Sequence, residues 1–174
     1  MRRMARRSWV VVLALAVLLP GTASADRGAT CTLTVLEAHD GEAAPSMDPQ
    51  LAPLQSLLSV PPFTIFKVFK RLFVASLDFA TIPQERTVEF PVASLAGLSA
   101  RITYSGYSAQ AGDLLFEFKL QKDGQTLLEP TIRLSGAPLP LVVPWPDPMN
   151  VLIFVFQCTP APEAPVPAPV APAP

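Results

Sequence analysis

Apolar and polar side chains alternate with a period of two along much of this chain, and that alternation predicts strands as its main elements. Cys31, Leu33 and Val35 alternate with Thr30, Thr32 and Thr34, β-branched residues that suit the outer face of a pleated strand. Val88, Phe90 and Val92 alternate with Thr87, Glu89 and Pro91, and Ile102 and Tyr104 alternate with Arg101, Thr103 and Ser105. Each reads as a half-buried strand. The sharpest unit is a hairpin in which Phe116, Phe118 and Leu120 share a face, Asp123-Gly124 turns the chain, and Leu128, Ile132 and Leu134 return. Asp-Gly accepts the positive dihedrals of a tight turn whose twist matches its strands. Glu117, Lys119, Glu129 and Arg133 take the opposite face. Pro130, inside the return strand, has no N–H for a ladder, which puts that strand at a sheet edge or at a bulge. Val151 to Phe156 is apolar without a break, the mark of a central strand covered on both faces.

One segment departs from this period. Asp48 offers a cap, Pro49 suits a first helical residue, and Leu51, Leu54, Leu57 and Leu58 recur at helical spacing, so a short helix is predicted up to Pro61-Pro62. Beyond it, Ile65, Phe66, Phe69, Leu72 and Phe73 also fit a helical stripe with Lys67, Lys70 and Arg71 opposite. Their aromatic and β-branched content favours strands over 64–71 and 73–79 instead. Seven or eight strands and one N-terminal helix predict a mainly β fold, an antiparallel two-sheet sandwich, with an open barrel as the alternative.

The ends of the chain have a different composition. Arg2, Arg3, Arg6 and Arg7 precede an apolar run from Trp9 to Leu19, and Ala23-Ser24-Ala25 has the small residues of a cleavage site. Residues 1–25 therefore read as a signal peptide cleaved before Asp26, too short to remain as a membrane span. Arg6-Arg7 leaves the twin-arginine route open beside the general one. From Pro160 the chain is almost wholly Pro, Ala and Val, which builds no core, so residues 160–174 are expected to form a disordered tail. One domain is left, 26–159. Its expected location is the periplasm or the medium.

That location gives the cysteines a role. Cys31 and Cys158 are the only two, and in an oxidising compartment they should pair. Cys158 shares the parity of Leu152, Phe154 and Phe156, and Cys31 that of Leu33 and Val35, so both sulfurs are expected on core faces. Charge shifts with export too: four of the thirteen basic residues leave with the signal and all fourteen acidic ones stay, so nine against fourteen gives a net charge of −5. A modestly acidic surface argues against nucleic acid as a partner. The cluster Lys67, Lys70 and Arg71 reads as a solvated face.

The succession Leu36-Glu37-Ala38, Asp48-Pro49-x-Leu51, Leu54, Leu57-Leu58 and Pro61-Pro62-Phe63 with Phe66-Lys67 resembles a group of uncharacterised exported bacterial proteins. The resemblance implies a fold and no functional residues, since the group has no assigned activity.

Little in the chain points to catalysis. His39 is the sole histidine, which leaves few metal sites and few nucleophilic triads to build, and His39-Asp40-Gly41-Glu42 reads as a turn after a strand. No cofactor motif is present, and none is expected to bind. Glu117 and Glu129 are neighbours across the hairpin but alternate with Lys119 and Arg133, as a solvated charge ladder does. Trp145, in Pro144-Trp-Pro-Asp-Pro, could stack on a sugar or peptide; closing the end of the sandwich is the preferred reading. The leading functional expectation is a non-enzymatic envelope or secreted module that binds a protein partner, with Pro130 and Trp145 on the candidate interaction surface. The alternatives are a carbohydrate- or peptide-active enzyme using carboxylates, and a carrier of a small apolar ligand.

Overall fold

The strand alternation around the two cysteines sets the frame of the molecule. In a computed structural model, residues 27–40, 44–145 and 150–162 are described; the segment read as a signal and residues 163–174 of the tail lie outside them. β1 (Ala29–His39) and β10 (Asn150–Pro160) run antiparallel along their whole eleven residues, Ala29 opposite Pro160 and His39 opposite Asn150. The ladder thus uses Pro160, a residue expected in the tail. β2 (Ser46–Met47), β3 (Val68–Phe79) and β9 (Leu139–Pro144) complete a five-stranded sheet in the order β2-β3-β1-β10-β9. It is antiparallel except for the short β2–β3 contact.

The second sheet holds β4 (Gln84–Glu89), β5 (Leu98–Ser108), β6 (Asp113–Lys122), β7 (Gln125–Leu128) and β8 (Thr131–Leu134). Its order is β4-β5-β6, with β7 and β8 each pairing with a different part of the far side of β6. The two sheets pack face to face and do not close into a barrel, so the mainly β, two-sheet sandwich is the observed fold.

Two hydrophobic clusters explain why the last strand is apolar throughout. Leu152, Phe154, Phe156 and Cys158 face the space between the sheets, while Val151, Ile153 and Val155 face the other way. There they meet Leu36 and Ala38 of β1 and are covered by Leu51, Leu58 and Phe63 from the helical segment. The structure therefore has three layers over this half of the first sheet. Between the sheets, Phe116 packs edge-on against Phe156 at 5.0 Å and against Phe79 at 5.5 Å, with Tyr104 tilted at 5.0 Å. The Tyr104 hydroxyl donates to the carbonyl of Arg27 at 2.6 Å, and burial, with Tyr107 adding to it, raises the Tyr104 pKa above the usual phenol value.

Sequence expectations hold in most places and fail for identifiable reasons. Asp48 caps as expected, its Oδ1 accepting from the Gln50 N–H at 2.9 Å, but Pro49–Leu54 is a 3₁₀-helix and only Gln55–Leu58 (α1) is α-helical. Pro53 has no N–H to return to Pro49, so an α ladder cannot begin until the chain has passed it. The two strands expected over 64–71 and 73–79 are one, β3, preceded by a turn of 3₁₀-helix at Phe63–Ile65. Register slips between Val35 and Leu36, leaving Leu72 bulged out, so Phe69 turns to the outer cluster and Phe73 to the inner one. A bulge of this kind breaks strict alternation and imitates a helical stripe. β4 begins earlier than expected and stops at Glu89, before Pro91. The strands β2 and β9 have no counterpart among the sequence expectations: β2 is only two residues long, and Pro140 and Pro144 interrupt the strand signal of β9.

Cys31 and Cys158 face each other in the β1–β10 register and form the expected disulfide, with Cα atoms 4.0 Å apart and both residues 1% exposed. It spans 127 residues, for which the chain-entropy account gives about 5 kcal/mol of stabilisation. Replacing both cysteines by serine is expected to lower unfolding free energy by about 3–5 kcal/mol in chemical denaturation. The unreduced wild type should show no thiol reactive to iodoacetamide after unfolding; two reactive thiols would contradict the bridge.

Candidate functional site

The hairpin that the Asp-Gly turn closes also makes one border of the second sheet. Asp123 (φ 50°) and Gly124 (φ 82°) supply the two positive dihedrals the turn needs. The returning strand then breaks at Glu129-Pro130 into β7 and β8, yet register with β6 is unbroken from Leu120 opposite Leu128 to Leu114 opposite Leu134. The irregularity lies next to the turn, between Leu120 and Gln121. Pro130 thus lies in the break between two edge strands, still in register with Phe118; of the edge and the bulge that the sequence left open, the edge is the one found here.

Backbone hydrogen bonds decide which groups of that edge are free. The Phe118 N–H donates to the Pro130 carbonyl at 3.0 Å, so residues 130, 132 and 134 turn their backbone groups toward β6. Antiparallel alternation then turns the N–H and C=O of Glu129, Thr131 and Arg133 away from the sheet. No backbone hydrogen bond joins them to another described segment. Pro130 itself points its missing donor inward, at the cost of one ladder bond to Phe118. Side chains follow the same alternation: Ile132 and Leu134 are buried, while Glu129, Thr131 and Arg133 are exposed.

β9, at the corresponding edge of the other sheet, is built in the opposite sense. The Trp145 N–H donates to the Asn150 carbonyl at 2.9 Å, which places residues 139, 141, 143 and 145 in hydrogen-bonded register with β10. The outward positions are therefore 140, 142 and 144. Two of these are proline, so Val142 keeps the sole outward N–H within β9. Proline at outward positions is a standard means of blunting an edge.

The exposed face beside β8 carries the carboxylates. Glu85, Arg101, Thr103, Glu117, Lys119, Glu129 and Thr131 line a depression of about 390 Å³. Lys119 Nζ donates to both oxygens of Glu129 at 3.0 and 3.2 Å, and Arg101 Nε lies 3.5 Å from Glu85. Glu117 stands opposite Thr131 on one side and Thr103 on the other. A two-carboxylate hydrolase keeps one carboxyl neutral in apolar surroundings. Here Glu117 and Glu129 share an open face with Lys119 and Arg101, the cross-strand charge ladder that alternation indicated.

At one end of the sandwich, Trp145 packs part-buried against the inner core, with Lys122 Nζ 4.0 Å from its ring centre. It lines a mouth of about 330 Å³ with Glu37, Leu72, Ser94, Leu95, Asn150 and Leu152. The proline loop after it falls outside the described residues. Pro130 and Trp145 are not brought together: Pro130 lines the face beside β8 and Trp145 the mouth. His39 ends β1 instead of lying in a turn, while Gly41 and Glu42 are outside the described residues. Lys67 pairs with Asp40 at 3.2 Å, and Lys70 and Arg71 lie on opposite faces of β3, so the basic residues form no common patch. Sequence reasoning missed the outward trio 129, 131 and 133; the signal was Pro130, which marked the edge without revealing its hydrogen-bond phase.

If Trp145 closes the sandwich, Trp145→Ala removes packing and a cation–π contact, and stability should fall by about 2 kcal/mol. Thermal unfolding measures this directly, and an unchanged midpoint would favour the exposed stacking platform instead.

Comparisons of the chain with protein-family models, with curated proteins and with solved structures found no match in any of the three.

Proposed function

We propose that this protein is an exported, non-enzymatic module, acting in the periplasm or outside the cell, that holds a protein partner by strand addition at the β8 edge. The observation that carries this reading is the outward N–H and C=O of Glu129, Thr131 and Arg133, beside a β9 edge whose outward donors prolines largely remove. An incoming extended segment gains affinity from main-chain hydrogen bonds, which such an edge offers ready-made. Export is supported by the basic, apolar and small-residue succession in residues 1–25 and by the disulfide, which persists in oxidising compartments. Among the described residues no helix is long and apolar enough to cross a membrane.

The other readings have less support. A carrier of an apolar ligand needs interior space, and the phenylalanines between the sheets interlock, with Phe118 6.1 Å from Phe154 and 6.5 Å from Phe156. An enzyme using Glu117 and Glu129 needs desolvated carboxyls, and these line a solvated ladder.

Thr131→Pro tests the edge, because it deletes the central outward donor and leaves the β6 ladder whole. Capture of an extended peptide selected on the wild type from a random displayed library is expected to weaken by about ten-fold or more, with the melting midpoint retained. Unchanged capture would remove strand addition. Export has its own check: protein recovered outside the cytoplasm should begin at Asp26 by mass spectrometry, and an N-terminus at Met1 would overturn it.

A further inference from the structure

The β8 edge is complementary to itself, and we infer that the segment it takes is β8 of a second copy of this chain. The inference rests on the strand-addition reading above and names its partner. Two β8 strands can meet antiparallel about a two-fold axis at Thr131. Glu129 then stands opposite Arg133 of the other copy, Thr131 opposite Thr131, and Arg133 opposite Glu129. All three positions point their backbone groups outward, so each forms a doubly hydrogen-bonded pair. The two second sheets become one continuous sheet across the molecule pair, an interface of the isologous type.

Charge selects this register over its neighbours. Glu129, Thr131 and Arg133 all present exposed side chains on the same outer face. A two-residue slip one way sets Glu129 opposite Thr131, diagonal to both Glu129 and Arg133 of the other copy, and a slip the other way sets Arg133 opposite Thr131 in the same manner, so neither puts the two charges face to face. Only pairing centred on Thr131 places unlike charges directly opposite, an arrangement that stabilises strand pairs where like charges destabilise them. Arg133 has no ion pair or hydrogen bond to another side chain among the described residues, whereas Glu129 is held by Lys119 at 3.0 Å. Docking would bring Arg133 of the other copy to the free side of Glu129, making a cation–anion–cation row across the junction.

Both signs of charge line this edge. The outer face of β6 and of the returning strand carries Asp113, Glu117, Lys119, Glu129 and Arg133, three anions and two cations, so each copy brings cations as well as anions to the junction although the processed chain is acidic. Two apolar side chains lie open on its flanks. Leu127 on β7 and Val142 on β9 are 42% and 41% exposed, among the few large hydrophobic side chains left open to solvent. β9 cannot continue its own sheet into the second copy, because Pro140 and Pro144 occupy outward positions. The pairing is thereby kept to the second sheet.

Sedimentation equilibrium of the processed, disulfide-bonded chain over a concentration series should show a monomer–dimer equilibrium. Arg133→Glu alone and Glu129→Arg alone each set like charges across the junction and should weaken self-association by about ten-fold or more, with melting midpoints near the wild type. Mixing the two variants sets each new charge against an opposite one, and the mixture should regain wild-type association as a heterodimer. Failure of the mixture to associate, or a wild-type dimer indifferent to both single changes, would overturn the inference. A wild type that stays monomeric yet captures the selected peptide in a Thr131→Pro-sensitive way would also overturn it, while leaving strand addition standing. Loss of both association and capture would remove the two together.

Discussion

The ladder between β1 and β10 pairs the first described strand with the last, and both hydrophobic clusters lean on it. Its inner face, with the disulfide near one end, receives the aromatic residues of β5 and β6; its outer face receives the leucines of the helical segment. Neither cluster can close before β10 is in place. A contact across 127 residues carries a large loop-closure cost, and that cost is met before any core rewards it. The fold is therefore one whose native state needs the whole domain to be present, and a covalent bond at that junction stabilises the point where chain entropy opposes folding most. Such an arrangement suits a protein that matures where thiols are oxidised, which ties the location proposed from the N-terminal segment to the mechanics of the core.

β3 has to serve both clusters from one strand, and the bulge at Leu72 is how it does so. Without it, Phe69 and Phe73 would share a parity and face the same cluster; with it, Phe69 joins Ile153 and Val155, and Phe73 meets Phe90 edge-on at 5.5 Å. The same bulge puts Leu72 at the mouth lined by Trp145. One extra residue thus shapes both the layering of the domain and the opening at its end.

That bulge also marks the limit of what alternation reveals. Where a strand keeps one phase, as in Cys31 to Val35 or Phe116 to Leu120, the sequence identifies both the element and its buried face. The hairpin followed from Asp123-Gly124, a signal carried by residues close together in the chain; the disulfide followed from there being only two cysteines, with parity placing both on core faces. Phase changes set by a neighbouring strand were not legible: the slip between Val35 and Leu36 belongs to the pairing of two strands and is written in neither alone. Proline was misleading in its own way. Pro49 and Pro53 permitted the expected helical turn but tightened it, while Pro140 and Pro144 broke the signal of a strand in an apolar stretch.

The prolines of the two adjacent edges show why hydrogen-bond phase, not residue type, governs what an edge can do. In β9 the prolines occupy the outward phase, where removing an N–H costs the sheet nothing and denies a donor to any approaching strand. Just before β8, Pro130 occupies the inward phase, so it forfeits a bond to Phe118 and leaves all three outward donors intact. A residue placed only to protect an edge would have been worth more one position away, at Glu129 or Thr131. Blunting of β9 beside an unblunted β8 separates two edges that composition alone would treat alike. On this ground the open donors of β8 support the proposed pairing, in which the charges at Glu129 and Arg133 would decide which strand is accepted.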